Sequence, residues 1–413
     1  MAPSEHQAQR PPKPARGPDL SGTNLERAGD HNQRVTLQAI RLNGPITRAE
    51  LVALTGLTAP AIANITTRLR SENFIVEVGR QQGGRGQPAM RLAVNPDGCF
   101  SIGINVDRDH TILVLLDLLG TVRARRELDL DLTRVQPQEI ATRLKTVIDE
   151  ILGGWDLART RLVGCGIAMP DDLGRVSLAH WPSGYGEWDH VDTLALFRDL
   201  VAAPVFIEND AAAAALGELQ FGHGRQQPSF FYILISGGLG GGLVIDGNFS
   251  RGADGRSGEI GFLPLRSTQT AARSVQEAVS LSGLFSYLAA GGQAVTRPGQ
   301  LAGLGEAGQA LITQWIELAG ELLTEPLIAV NCLINPEAIY LGGRLPADLV
   351  DRLAEILNHR LGRQIGIPAI APVRRAAMAA DAPAVGAALI PFSHRLLPSR
   401  AALMKTGQDD RGA

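Results

Sequence analysis

The run Ile207-Glu208-Asn209-Asp210 ends an apolar segment and opens the alanine-rich stretch from Ala211 to Leu219. An amide and a carboxylate therefore stand at a strand-to-helix junction. A carboxylate there, facing a cleft, can accept a hydrogen bond from a substrate hydroxyl or act as a base. Asn209 and Asp210 are equally suited to capping the helix, and both readings stay open. Gly258-Glu259-Ile260-Gly261-Phe262 and Glu277 add two more carboxylates downstream. Two or three acidic groups and an amide suit a sugar, whose hydroxyls are mostly donors to carboxylates. Ser236-Gly237-Gly238-Leu239-Gly240-Gly241-Gly242 could turn its amide N–H groups toward a phosphate, or could simply form a tight turn.

A second chemistry lies nearer the start. Residues 1–27 hold five prolines and almost nothing apolar, which predicts a disordered arm. Periodicity begins near Asn32, where Val35, Leu37, Ile40 and Leu42 supply the stripe of a helix ending at Asn43-Gly44-Pro45. Thr47-Arg48-Ala49-Glu50 has the form of a capping box ahead of a second helix that Gly56 breaks. Thr58 then caps a third, with Pro60 in its first turn and Ile62, Ile65 and Leu69 as its apolar stripe. Two short helices joined at Gly56 make a helix-turn-helix, whose second helix suits a major groove. Arg48, Thr58, Pro60, Ala61, Asn64, Thr67 and Arg68 are the residues placed to meet DNA. Phe74–Val78 and Met90–Val94 read as strands flanking a glycine-rich wing, where Arg80, Arg85 and Gln87 could grip phosphates or enter a minor groove. These elements place the DNA-binding unit at residues 28–95. The competing reading is a protein-docking module.

The carboxylates need a different frame. Strand patterns at 100–106, 111–116 and 122–128 precede a helix at 137–152 and strands at 162–168 and 204–208. The order restarts with strands at 230–236 and 242–245, helices around 274–290 and 306–332, and a strand at 338–341. Two similar mixed α/β halves predict two lobes with a ligand cleft between them. Charge divides along the same line: residues 1–98 carry a net +4 and the remaining 315 a net −7. With 45% hydrophobic residues in 413, the chain fits two or three soluble domains. No uncharged run is apolar and long enough to span a bilayer, and the first 20 residues lack the apolar core of a signal peptide. Cys99, Cys165 and Cys332 form neither a disulfide framework nor a CxxC pair, so the cytosol is the expected compartment.

Over about residues 30 to 395 the chain resembles the ROK family (repressor, open reading frame, kinase), specifically its repressor branch. The head carries Gly44-Pro45-Ile46-Thr47-Arg48-Ala49-Glu50-Leu51, Thr55-Gly56-Leu57-Thr58 and Gly83-Gly84-Arg85. The body carries Glu208-Asn209-Asp210, Gly258-Glu259-Ile260-Gly261, Ile334-Asn335-Pro336-Glu337 and Leu341-Gly342-Gly343. The resemblance implies a winged helix-turn-helix followed by a two-lobed, actin-like or hexokinase-type domain at 96–413. It further implies a homodimer or homotetramer on double-stranded operator DNA, and a small sugar effector at Asn209, Asp210, Glu259 and Glu277.

Three departures from the family pattern matter. Family kinases have Asp-x-Gly-Gly-Thr where this chain has Asn105-Val106-Asp107-Arg108-Asp109, whose carboxylates would repel ATP phosphates. Kinase activity is therefore expected to be lost, leaving no catalytic residue and no cofactor. Phe262 stands at the family's zinc-ligating histidine, and no cysteine lies between it and Glu277, so no metal is expected. Ser183 replaces an asparagine that follows a proline in a first-lobe sugar loop. The alternatives are a sugar kinase with a DNA-binding head, and a regulator whose body only binds other proteins.

Overall fold

The structure is a computed structural model that describes residues 25–80, 89–130, 132, 134–170, 188, 190–253, 256–266, 268–364, 366, 369–378 and 380–398. The head comprises α1 (Leu25–Asn43), β1 (Ile46–Thr47), α2 (Arg48–Thr55), α3 (Ala59–Ser71), β2 (Ile75–Arg80) and β3 (Met90–Val94). Helix α1 starts at Leu25, inside the stretch read as an arm, and residues 1–24 lie outside the described residues. The capping box forms as expected: Thr47 Oγ1 accepts from the Glu50 amide, and the Glu50 carboxylate accepts from the Thr47 amide at 2.8 Å. Gly56 ends α2 at φ 70°, a left-handed conformation that costs glycine little. The strands pair in the order β1-β3-β2.

The body repeats one topology. Its first lobe holds β4 (Phe100–Val106), β5 (Thr111–Asp117), β6 (Val122–Leu128), α4 (Pro137–Gly153), α5 (Asp156–Thr160), β7 (Leu162–Met169), α6 (Thr193–Phe197) and β8 (Val205–Asn209). After α7 (Asp210–Phe221) the second lobe holds β9 (Phe230–Ile235), β10 (Leu239–Ile245), β11 (Asn248–Phe249), α8 (Val275–Ala278), α9 (Leu281–Ala290), α10 (Glu306–Ile334), β12 (Ala338–Gly343), α11 (Ala347–Gly362) and β13 (Val373–Arg375). The sheets run β6-β5-β4-β7-β8 and β11-β10-β9-β12-β13. In each, the first three strands in chain order are antiparallel and the fourth and fifth join in parallel. Strands β4, β5, β9 and β12 are buried along their whole length, which explains why they read as unbroken apolar runs. One correction concerns 274–290: it is two helices, because the Ser280 hydroxyl caps α9 by accepting from the Gly283 amide at 3.1 Å.

The last helix, α12 (Ala382–Arg395), returns to the first lobe. It lies so close to β4 and β7 that a Cβ on Gly103 or Gly166 would stand 1.9 Å from the carbonyl oxygens of Ala384 and Ala387. Its outer side joins the head: Leu37, Ile40, Leu51, Ile62 and Leu69 share one apolar cluster with Ile112, Val114, Val385, Leu389 and Phe392. Head and body thus bury a common core. Among the described residues no single helix is long and apolar enough to cross a membrane.

His394 sits at this joint. Its ring stacks on Phe206 at 4.5 Å between centroids, and its carbonyl accepts from Arg34 at 3.0 Å. Burial of the ring, then the charges of Arg251 and Arg34, push its pKa below the ordinary 6.5. The unfolded chain then takes up the proton more readily, so stability falls as pH drops through about 6.5. Between pH 7.5 and 5 the melting temperature should fall more steeply for the native chain than for His394→Gln; parallel slopes would rule this contribution out.

Candidate functional site

The outer side of α3 is the face open to a groove. Thr58, Pro60, Ala63, Asn64, Thr67 and Ser71 are exposed, whereas Ile62, Thr66 and Leu69 are buried. Thr58 is committed to the cap, accepting from the Ala61 amide at 3.4 Å. Two of the basic candidates have partners within the head. Arg68 pairs with Glu72 at 3.0 Å, and Arg48 donates to Thr66 Oγ1 at 2.9 Å while lying 4.0 Å from Glu77. Arg48 is therefore a brace between α2 and α3, which the helical pattern of α2 did not reveal. Arg85 and Gln87 lie outside the described residues.

Between the lobes a small cavity is lined by Asn209, Asp210, Glu259, Gln276, Arg108 and Arg256, with Phe262 among the apolar walls. Asn209 both caps and faces the cavity: its Oδ1 accepts from the amides of Ala211 and Ala212 at 2.9 and 3.0 Å. Asp210 opens α7 beside it, 9% exposed. Glu259 accepts from Arg256 at 3.0 Å, and that guanidinium lies 5.8 Å from the centre of the Phe262 ring. Three of the four residues expected to contact a sugar are thus brought together. Glu277 is the exception. Its carboxylate turns away to accept from the Arg273 amide at 2.8 Å, and Gln276, 3% exposed, lines the cavity instead. The short α8, stopped before Ser280, decides which of the two neighbours points inward. Ser183 lies outside the described residues.

The glycine run is also not the loop it resembled. Gly240, Gly241 and Gly242 are strand residues of β10, where a Cβ on Gly242 would stand 2.6 Å from the Ala215 methyl and one on Gly240 2.9 Å from that of Ala211. Gly240 and Gly242 let α7 pack closely, Gly241 lets Gly258 approach on the other face, and the turn is only Ser236 to Gly238.

That turn meets the loop between β4 and β5. Asp107 accepts from the Ser236 hydroxyl, and Asp109 is gripped by both terminal nitrogens of Arg344 from the far lobe. Although burial alone would raise it, hydrogen bonds from His110 and Arg344 hold the Asp109 carboxyl down at about 2. Arg108, 2% exposed, lies across Gly238, where a Cβ would be 3.4 Å from its Nη1. The expected objection to ATP therefore changes in kind. The acidic charges are already neutralised, and the loop is bolted to the opposite lobe. Asp107, Asp109 and His110 do bring possible metal-ligand atoms within 4.8 Å of one another, but a cation there would have to displace Arg344.

The open volume of the cavity, about 30 Å³, holds a water or two. That space, as the described residues leave it, is smaller than a sugar.

The family model described as the ROK family matches residues 101–392. The chain belongs to the ROK family. One relative, the uncharacterized protein y4fQ of Sinorhizobium fredii, is 29% identical over 366 residues, covering 87% of this chain and 90% of its own length. The xylose repressor of Bacillus subtilis is 30% identical over 235 residues, 57% of this chain. The match spans only 60% of that repressor's length. Among solved structures, a ROK family transcriptional regulator described as a homolog of the Escherichia coli Mlc protein superposes with a TM-score of 0.66 at 24% identity, over 89% of this chain and 96% of its own. A ROK glucokinase from Streptomyces griseus, in complex with glucose and AMPPNP, gives 0.56 at 21% identity over 70% of this chain and 98% of its own. The mixed α/β fold is thus that of actin-like and hexokinase-type ROK structures, with the regulator's match extending into the head.

Proposed function

We propose that this ROK chain is a sugar-responsive transcriptional regulator, most simply a repressor of carbohydrate-uptake or catabolic genes, acting as a homodimer or homotetramer on a palindromic operator. The observation that carries the reading is the shared core of head and body: a winged helix-turn-helix packed directly on a two-lobed cleft that keeps Asn209, Asp210 and Glu259. Similarity to proteins named xylose repressors supports it and makes xylose the first sugar to try. Operator DNA would meet the outer face of α3 through Asn64 and Thr67. A sugar in the cleft would change how the two lobes sit, and release of DNA follows if the sugar-bound state has the lower operator affinity.

We further infer that phosphoryl transfer is lost. Asp210 is placed at the cleft where a carboxylate could act as a base, yet the β4–β5 loop that would hold phosphates is locked by Asp107 to Ser236 and by Asp109 to Arg344.

The test is a mobility shift at stated salt with duplex from upstream of the chain's own gene, with and without xylose, glucose and N-acetylglucosamine. One sugar should weaken operator binding by at least about fivefold. Asp210→Ala should bind operator normally and lose that response, while Asn64→Ala should weaken binding with or without sugar. Operator affinity that no sugar changes would leave a DNA-binding protein with an inert cleft. ATP turnover with any of these sugars would establish the kinase reading.

A further inference from the structure

Helix α7 joins the cleft to the head. Its first residue, Asp210, and its cap, Asn209, line the cavity, and its last two, Gln220 and Phe221, touch α1 some 18 Å away at about 1.5 Å per residue. Between these ends it has no slack. Ala211 and Ala215 abut Gly240 and Gly242 of the second lobe, and the Ala213 carbonyl abuts Gly386 of α12. A helix packed this way moves as a rod when the lobes shift.

At the far end, Arg41 of α1 donates to Gln220 Oε1 and stacks over the Phe221 ring at 5.4 Å. Gln38 donates to the same oxygen at 3.4 Å and accepts from Arg41 Nε at 2.9 Å. Phe221 is itself wedged on Gly120, where a Cβ would stand 1.9 Å from the ring. Arg41 is a basic residue of the DNA-binding head that faces inward. Burial, then repulsion from Arg225, lower its pKa to about 10. Its neighbour Ile40 is buried in the cluster that also holds Leu51, Ile62 and Leu69 of the helix-turn-helix.

We propose that Arg41 and Gln220 are positioning residues that couple the two sites: displacement of α7 at the cleft is delivered through Gln220 to α1 and so to the recognition helix. The link to a sugar rests on the reading above, but the coupling itself can be read with DNA alone. In full-length protein, binding of the upstream duplex should change hydrogen exchange of the Ala211 and Ala212 amides, at the cleft end of α7, because coupling is reciprocal. Gln220→Ala should bind the duplex within about threefold of the native affinity and abolish that change, whereas Gln220→Glu, which keeps an acceptor for Arg41, should preserve it. Where xylose weakens operator binding, the same Ala variant should bring the affinity ratio with and without sugar close to one. Retained exchange response in Gln220→Ala, no response in the native chain, or loss of duplex affinity in Gln220→Ala without sugar would each overturn the coupling. A present exchange response with no sugar effect would keep the coupling and sink the sugar reading.

Discussion

Glu218→Ala should cost the chain at least about 3 kcal/mol of stability, the largest loss expected from a single polar truncation here. Glu218 is completely buried near the end of α7. Its carboxylate accepts from the backbone amides of His223 at 2.9 Å, Ala377 at 3.1 Å and Met378 at 3.3 Å. One side chain therefore closes the end of α7, starts the turn after it, and holds the segment that leads into α12. A buried N–H left without an acceptor costs about 1–3 kcal/mol, and alanine takes the acceptor from three. Glu218→Gln keeps one acceptor but points an amide N–H₂ at donors, so it should fall between the two. Urea denaturation of the three proteins checks this. An alanine variant within about 1 kcal/mol of the native chain would mean that the three amides find other acceptors.

The elements legible in the sequence are those whose signals are local. Thr47, Glu50, Gly56 and Thr58 lie within a turn of the backbone groups they satisfy, so the boundaries of α2 and α3 follow from the chain alone. The repeated order of strands was legible too, because buried parallel and central strands read as apolar runs. The cleft was legible where a residue ends a strand and caps a helix, as Asn209 and Asp210 do. It was not legible where rotation of one short helix decides the outcome: α8 presents Gln276 and withdraws Glu277. Nor could any local pattern show that Arg108 would lie across Gly238, or that Asp109 would meet Arg344, since those partners are joined only by the closing of two lobes. The glycine run illustrates the same limit. A strand that needs glycine so that α7 can approach looks, in sequence, like a phosphate loop. Arg41 and Arg48 were hidden for a related reason, for a basic residue in a DNA-binding head invites a phosphate contact unless its inward partners, Gln220 and Thr66, are known.

Gly386→Ala separates local preference from packing by the sign of its effect. In a solvated helix interior this change stabilises by about 1 kcal/mol, because alanine loses less conformational freedom on folding than glycine. Gly29 in α1 is such a position, with nothing within 4 Å of an added Cβ, and Gly29→Ala should raise stability slightly. At Gly386 the added Cβ would stand 1.6 Å from the Ala213 carbonyl oxygen and 2.4 Å from its carbon, both backbone atoms of α7. No rotamer change can relieve a clash between two backbones. The helices must separate, and the overpacking loss should exceed the usual range of about 1–3 kcal/mol. Separation cannot stay local, since α12 is also pressed on Gly103 and Gly166 of the first sheet, where a Cβ would stand 1.9 Å from its carbonyl oxygens. Thermal melts of the two alanine variants should therefore move in opposite directions. The Gly386 variant should also lose operator affinity in the absence of any sugar, because α12 carries part of the core on which the head rests. If both variants melt at or above the native temperature, α7 and α12 do not cross at this distance, and the rigid path from the cleft to the head fails with them.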